Sequence, residues 1–567
     1  MSADSVVFDM ASMSEGTPQI FVKKDWLSIL DNQNGSYVGN QCVIDTSQLA
    51  NSNKYMNYRE AYLTVPLYLT MSSSAYAVAT PADYTVGLKN WYGSIVHSLT
   101  LDMNGTTIIQ QTPFCGLWNS FKLMTSMSFN DVITEGATIG FYPDNAKAVG
   151  FSAVTYSASG VGTCNNRNLG GFPVIAGLNS MEEFNDGLLK RQQVWNFNPL
   201  GSSISVGVGT TYGSFFNGGA SATGATAGLT TLWKSYITNN LDGAFQVSIT
   251  AIVYLKHLHS FFDKVPLMKG TFLRLTLNLN QSSVTATTTT TAGAYTACSV
   301  NSPLGGVSPI MLASGVTGQG AAAPLIAGTY IVSLAVGSRV LNTSQIGATG
   351  VLTNGPLGNS IILNVPAYTF NPVFESSYLS SPIKKIVYTD IYQYIINNIS
   401  AGGNFNNLVT NGIANIKSVL CLPFYTAAAN ATVALSPLQS PFDPAGGGPT
   451  SPLCLLTQFN VQISGQNAIY NTQRYAYEQF ANQLYGTNAV NGGMTDGMSS
   501  GLIDQTAFEM EYNYYYVNVG RMLPVEEAVP KSVSILGQSL SSRAIDIFVF
   551  VEYGVEVSVD VLTGARV

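Results

Sequence analysis

The sequence predicts an all-β chain in which one β-barrel domain is followed by a second, related one, with short helices and long loop insertions. Three observations carry this. Val, Ile, Thr and Tyr recur in short runs separated by Gly, Asn, Ser and Pro, the composition of strands and turns. A hairpin followed by a helix occurs twice, 360 positions apart. The length, 567 residues, exceeds what one core usually serves, so two or more domains are expected.

Residues 1–18 lack a strong pattern and read as an N-terminal arm that orders on assembly. The first domain is placed at 19–375 and the second at 376–567. Ile95 to Gly105, IVHSLTLDMNG, alternates. Leu99, Leu101 and Met103 face one way, and Ser98, Thr100 and Asp102 the other, as in a half-buried strand. Asn104-Gly105 supplies the positive-φ pair of a tight hairpin. Thr112-Pro113 then reads as a helix N-cap with proline at the first helical position, and Phe114, Leu117, Trp118 and Phe121 form one apolar stripe. Thr250 to Asn280 reads as strand, short helix, strand. Three stretches, Gly201 to Thr231, Ser283 to Thr291 and Ser302 to Asn359, are rich in small and β-branched residues. They read as surface loop insertions, with one short strand at Tyr330 to Val336. The boundary falls near Asn371 to Ser381, before a new strand at Ile383.

The second half repeats the frame. Leu455 to Gly465, LLTQFNVQISG, matches the apolar and polar order of Ile95 to Gly105 at all eleven positions. Thr472 corresponds to Thr112, and a stripe of Tyr477, Phe480, Ala481 and Leu484 follows, with Gly486 as the expected stop. A second anchor pairs Leu63-Thr64-Val65-Pro66-Leu67-Tyr68 with Leu420-Cys421-Leu422-Pro423-Phe424-Tyr425, at offset 357. A third pairs Val22, Asp25 and Trp26 with Val387, Asp390 and Ile391, at offset 365. The anchors keep their order, so the unit is read as used twice. At the end of the chain, apolar residues hold every odd position from Ile545 to Val561. Asp546, Glu552, Glu556 and Asp560 lie on the even side, and Gly554 is the candidate break in so long a strand.

Charged residues are only 10% of the chain, against about 25% in an average globular protein. The deficit implies a surface covered by other chains. A net charge of −7 with no basic stretch argues against strong or sequence-specific nucleic-acid binding. Six scattered cysteines without C-x-x-C spacing read as reduced, buried thiols. The N-terminus has no secretory pattern, and no transmembrane segment is expected.

Chemistry-bearing motifs are scarce. His257 and His259 would share a face on a strand, but no third ligand completes a metal site. His97 reads as a half-buried strand residue. Ser381-Pro382-Ile383-Lys384 spells S-x-x-K, but proline opposes the helical turn that would join its ends. Gly207-Val208-Gly209 opens no helix, and Glu182, Glu183 and Asp186 read as a solvated loop face. No catalytic, cofactor-binding or metal-ligating residue is assigned, and an enzyme is not expected.

The order of short strands, the helix after the hairpin and the whole-domain repeat resemble the double jelly-roll major capsid proteins, above all those of virophages and polinton-like viruses. In the second half the resemblance rests on Ser440-Pro441-Phe442-Asp443, Asn460 to Gly465, Tyr475 to Phe480, Ser500 to Ile503, and Ile545 to Phe550 with Thr563-Gly564. It covers most of 380–567 and the first half in part. The resemblance implies two tandem jelly rolls and trimers that form pseudo-hexameric capsomers of an icosahedral shell. It implies contacts with itself and with penton and minor capsid proteins, and a place in the virion after synthesis in the host cell. Tower-like loops would face outward. The alternatives are a jelly-roll carbohydrate-binding or attachment protein, and a jelly-roll glycosidase with paired carboxylates.

Overall fold

A computed structural model of the chain describes residues 19–37, 39–50, 52–73, 84–88, 90–110, 112–143, 192–194, 244–288, 295–301, 310–314, 328–337, 341–342, 351–352, 360–426, 454–469, 475–490, 502–510, 512, 514–519, 523–541 and 543–567. The first half contributes β1 (Phe21–Leu30), β2 (Gln41–Asp45), β3 (Tyr55–Met56), β4 (Tyr62–Ser73), β5 (Tyr84–Leu88), β6 (Val96–Met103), β7 (Thr106–Ile109), β8 (Gln192–Val194) and β9 (Ala244–Tyr254). It continues with β10 (Leu273–Leu279), β11 (Ser283–Thr288), β12 (Tyr295–Asn301), β13 (Ile310–Ser314), β14 (Gly328–Val336), β15 (Leu341–Asn342), β16 (Val351–Leu352) and β17 (Ile362–Phe370). The second half contributes β18 (Ile383–Ile399), β19 (Asn404–Ile413), β20 (Ile416–Tyr425), β21 (Leu456–Ile463), β22 (Gln466–Asn467), β23 (Tyr515–Asn518), β24 (Lys531–Ser539) and β25 (Ile545–Asp560).

The strand order identifies the architecture. In the second half one sheet runs β18-β25-β20-β23 and the other β19-β24-β21-β22. Numbered from one to eight along the chain, those orders are 1-8-3-6 and 2-7-4-5. The first half builds the same frame from β1, β2, β4, β6, β7, β9, β10 and β17: β1-β17-β4 with β9 on the far side of β4, and β2-β10-β6-β7. This is the winding of a jelly roll, two Greek keys whose outer strands pair first with last. The chain is therefore all-β, with two jelly rolls in tandem.

The repeated hairpins coincide in detail. Asn104 and Gly105 have φ of 48° and 81°, and Ser464 and Gly465 have 50° and 80°, the left-handed pair that matches strand twist. Leu99, Leu101 and Met103, like Phe459, Val461 and Ile463, are buried. The anchor at offset 357 is one residue out of register. Leu63 and Val65 face the core of their own barrel, opposite Val253 and Ala251. Leu420 and Leu422 lie opposite Phe550 and Phe548, whose rings meet Trp118 and Phe114 of the other half. Cys421 is the inward residue, beside Tyr515, which meets Phe459 of the facing sheet. A one-residue slip exchanges the two faces of a strand. The matching prolines therefore do not occupy equivalent positions.

Other expectations are corrected. Ser283–Thr288 is not a loop but β11, hydrogen-bonded between β12 and β14, because Thr and Val are strand formers whatever their monotony. β14 takes over the edge of β4 from Leu67 to Ser73, where β17 has ended at Thr64. The insertions thus prolong the first sheet, and β5, β8 and β13 form a further small sheet beside it. Gly486 does not stop its helix, which runs Tyr477–Val490. Thr112 does not cap the helix Cys115–Ser126. Phe114, at φ 56°, precedes that helix, and the Thr112 hydroxyl donates instead to the carbonyl of Ile391 at 2.9 Å. β25 continues through Gly554 unbroken. A Cβ there would lie 2.3 Å from Asn415 Nδ2, so close approach of Asn415 is what requires glycine. The arm 1–18, Gly201 to Thr231, Thr472, Glu182, Glu183, Asp186 and Gly207 to Gly209 lie outside the described residues.

At Gly465 nothing lies within 4 Å of a built Cβ, so only the backbone conformation opposes a side chain. Gly465→Val is expected to cost roughly 1–2 kcal/mol, seen as a lower denaturation midpoint, whereas the exposed change Gln466→Val should leave the midpoint unchanged.

Candidate functional site

The sequence-singled residues converge on the seam between the two jelly rolls. Helix Cys115–Ser126 of the first half lies over β25, β20 and β23 of the second. Phe114 meets Phe548 at 5.1 Å, Trp118 meets Phe550 at 6.3 Å, and Phe121 meets Tyr514 and Tyr516 at 5.0 and 5.3 Å. Except for the partly buried Phe114, these rings are buried. Phe548 and Phe550 on one face of β25, and Ile547, Val549 and Val551 on the other, are all buried. β25 is therefore covered by a barrel interior on one side and by the other half on the opposite side.

Polar groups complete the seam. The Ser260 hydroxyl donates to the Thr389 carbonyl at 2.5 Å and accepts from the Thr389 amide at 3.0 Å. Together with the Thr112 bond to Ile391, this occupies the edge of β18 that faces away from β25, an edge that would otherwise be a template for another strand. His259 Nδ1 accepts from the Phe261 amide at 3.2 Å. Its proton therefore sits on Nε2, aimed at Asp390 Oδ1 3.3 Å away; the partner of one ring nitrogen sets the role of the other. Asp390 also accepts from the Ile391 amide. The Tyr388 hydroxyl donates to the Ile108 carbonyl. Glu552, 5% exposed, accepts from Ser418 at 2.7 Å and faces Lys122 at 3.7 Å. At the base, Asn104 Nδ2 donates to the Thr563 carbonyl at 2.6 Å and the Lys269 amide to the Val561 carbonyl at 2.8 Å. Gly564 fits because a Cβ would meet Thr271 at 2.6 Å.

The structure places the neighbouring histidines among different partners. His259 is spent on Phe261 and Asp390. His257 packs edge-on against Trp91 and Tyr254, and its Nε2 is buried without a hydrogen-bond partner. Burial and then the Lys256 charge push its pKa down to about 4. His97 lies edge-on to Phe114 at 4.8 Å. Lys384 bonds the Tyr378 carbonyl and stacks on the Tyr378 ring, engaging that residue rather than Ser381. Cys115 is pushed up to about 12 by burial, so its thiol is neutral and a poor nucleophile at physiological pH. Burial and then the Asp390 carboxylate raise Tyr388 and Tyr553, keeping both phenols protonated donors. Among the described residues no group of three His, Cys, Asp or Glu side chains gathers, and no helix is long and apolar enough to cross a membrane. The arrangement holds two barrels together.

Two apolar surfaces stay open. β1 pairs only with β17 among the described residues, and its outward Val22, Trp26 and Leu30 are exposed. Trp26 starts an aromatic row, meeting Tyr62 at 5.6 Å, which meets Tyr254 at 5.7 Å. The connection between β23 and β24 exposes Leu523, Val525 and Val529.

No family model matches the chain, and no curated protein matches it. Solved structures do. PBCV-1 VP54, fitted into a reconstruction of the virophage Sputnik, is 8% identical with TM-score 0.40, covering 98% of each chain. The Faustovirus major capsid protein is 9% identical with TM-score 0.42, covering 96% of this chain and 91% of its own. The mavirus major capsid protein is 9% identical with TM-score 0.39, covering 97% and 91%. At such identities and TM-scores the likeness carries no weight of its own, and the jelly-roll assignment stands on the strand pairings.

Two outcomes follow from the seam. Trp118→Ala should lower stability by about 3–5 kcal/mol and open the Ile383–Ile399 region to protease, checked by denaturation and limited proteolysis. His257 has a folded pKa of about 4, below the ordinary 6.5, so the unfolded chain binds the extra proton between those values. Stability should then be full above pH 6.5 and fall as pH drops toward 4; thermal midpoints of His257→Leu should lose that part of the pH dependence.

Proposed function

We propose that the chain is a viral major capsid protein, a structural subunit without catalytic, cofactor-binding or metal-ligating residues. It trimerises into pseudo-hexameric capsomers that build an icosahedral shell, together with penton and minor capsid proteins, and it resides in the virion. Residues 19–375 form the first jelly roll, 376–567 the second, and 1–18 an arm. The observation that carries this reading is the pairing of two jelly rolls with the same strand order in one chain, held by a buried seam. Two barrels of like cross-section in fixed register make a tile with nearly equivalent sides, and three such tiles supply six barrels around one axis. Supporting it, 10% charged residues suit a surface covered by copies. The insertions that prolong the first barrel at β11 to β14 suit a tower above the tile.

Purified protein should then be a trimer or larger assembly by mass measurement at micromolar concentration, with six-lobed particles in negative stain. A single-chain mass under those conditions would contradict the proposal, and specific capture of glycans by a non-assembling protein would favour an attachment role.

A further inference from the structure

An asparagine followed by glycine can cyclise without an enzyme, and the fold decides where the reaction is free to run. Three Asn-Gly steps lie among the described residues: Asn34-Gly35, Asn104-Gly105 and Asn411-Gly412. The fold locks two of them. Asn104 Nδ2 donates to the Thr563 carbonyl at 2.6 Å, and Oδ1 accepts from the Phe272 amide at 3.0 Å. The Asn104 amide itself donates to the Phe272 carbonyl at 2.9 Å. Asn34 and Gly35 are both left-handed, with φ of 52° and 80°. Gly35 is buried, and its amide, the group that would attack, is held by the buried Asp31 carboxylate at 3.1 Å. Asn411-Gly412 is held in neither way. It lies on β19, the outer strand of its sheet, which pairs only with β24 among the described residues. The register jumps from Thr410–Val533 to Ile413–Lys531, so Asn411 and Gly412 together face Ser532, as in a β-bulge. Both are exposed. Among the described residues no hydrogen bond fixes the Asn411 side chain. The Gly412 amide makes a long bond of 3.4 Å to the Thr410 hydroxyl, and nothing lies within 4 Å of a Cβ built at Gly412.

We infer that Asn411-Gly412 is a self-modifying site of the folded protein, where the Asn411 amide becomes a carboxylate and the outer edge of the second jelly roll gains a charge. The Gly412 nitrogen gives its proton to solvent base and bonds to Asn411 Cγ. The Cγ–Nδ2 bond breaks and ammonia leaves. Water then opens the cyclic imide. Opening at Cγ leaves an aspartyl residue, and opening at the main-chain carbonyl leaves an isoaspartyl residue with one more methylene in the backbone. One water is consumed, one ammonia is released, and nothing is oxidised or reduced. Glycine matters because a Cβ on the attacking residue would crowd the ring. The bulge matters because these two residues lie outside the ladder pairs, so their backbone can turn without breaking one. The consequence is particular to this edge. β19 reads NFNNLVTNGI, 10 residues without a charge, and its Leu408 is 55% exposed. Sheet edges are ordinarily guarded by charged side chains against pairing with another strand, and the modification supplies such a charge.

The test incubates the full chain in mildly alkaline buffer, beside a sample unfolded in urea, and follows the three steps by peptide mapping and mass spectrometry. The urea sample sets the length of the incubation, and there all three steps should convert at similar rates. In the folded protein the Asn411 peptide should gain the mass of an amide-to-acid change, as two separable isomers. It should do so at least about 30-fold faster than the Asn104 peptide, the factor for two hydrogen bonds broken on the way to the barrier, and the Asn34 peptide should also lag. Gly412→Val, for which the structure leaves space, should abolish conversion at position 411, with the thermal midpoint verifying its fold. An Asn411 peptide that stays unmodified in the folded protein while the urea sample converts overturns the inference. So does conversion at Asn34 or Asn104 as fast as at Asn411, or a folded Gly412→Val that converts like the wild type. If Gly412→Val does not fold, the ranking of the three steps in the wild type decides alone.

Discussion

The structure depends on the burial of both faces of β25. A strand in the outer sheet of a jelly roll normally offers one face to its barrel and one to water. Here Ile547, Val549 and Val551 fill the barrel, while Phe548 and Phe550 meet Phe114 and Trp118. Burying a large side chain is worth about 1.5–3 kcal/mol, so this one strand commits several kcal/mol to holding the jelly rolls side by side. The polar pairs add direction rather than strength. Removing a partner from His259 and Asp390, or from Lys122 and Glu552, would strand a buried polar group, so sliding one barrel along the other is penalised at specific points.

That constraint gives the rest its role. Ser260 and Thr112 close the outer edge of β18 at Thr389 and Ile391, whereas β1 pairs only with β17 among the described residues. The C-terminal turn at Thr563 and Gly564 ties the second barrel to the first at the Asn104 hairpin. The insertions do not compete with the seam, because β11, β12 and β14 extend the upper part of β4. The insertions can therefore change in length without altering the seam.

Local features were legible in the sequence and long-range ones were not. The two hairpins could be read because alternation and a turn dipeptide lie within eleven residues, and the strand from Ile545 could be read from period two. The proline anchor misled because a motif of leucines and one proline fixes neither face nor register, and a slip of one inverts both. Thr-rich β11 was mistaken for a loop because repetitive composition hides strand propensity. The seam was invisible as a contact, yet one signal was present. Phe548 and Phe550 interrupt the polar face of β25, and a strand apolar on both faces must be covered on both. Glu552 lies on that same face, and only the placement of Ser418 and Lys122 explains its burial.

The most direct measurement is hydrogen exchange at the Thr389 amide, which lies on the edge of β18 away from β25 and is held only by Ser260 of the other half. If the seam is a permanent part of the fold, this amide exchanges as slowly as those of Val549 and Val551. Exchange at the rate of an open strand edge, with the β25 amides still protected, would mean that the two jelly rolls separate while each stays folded, and would contradict the account.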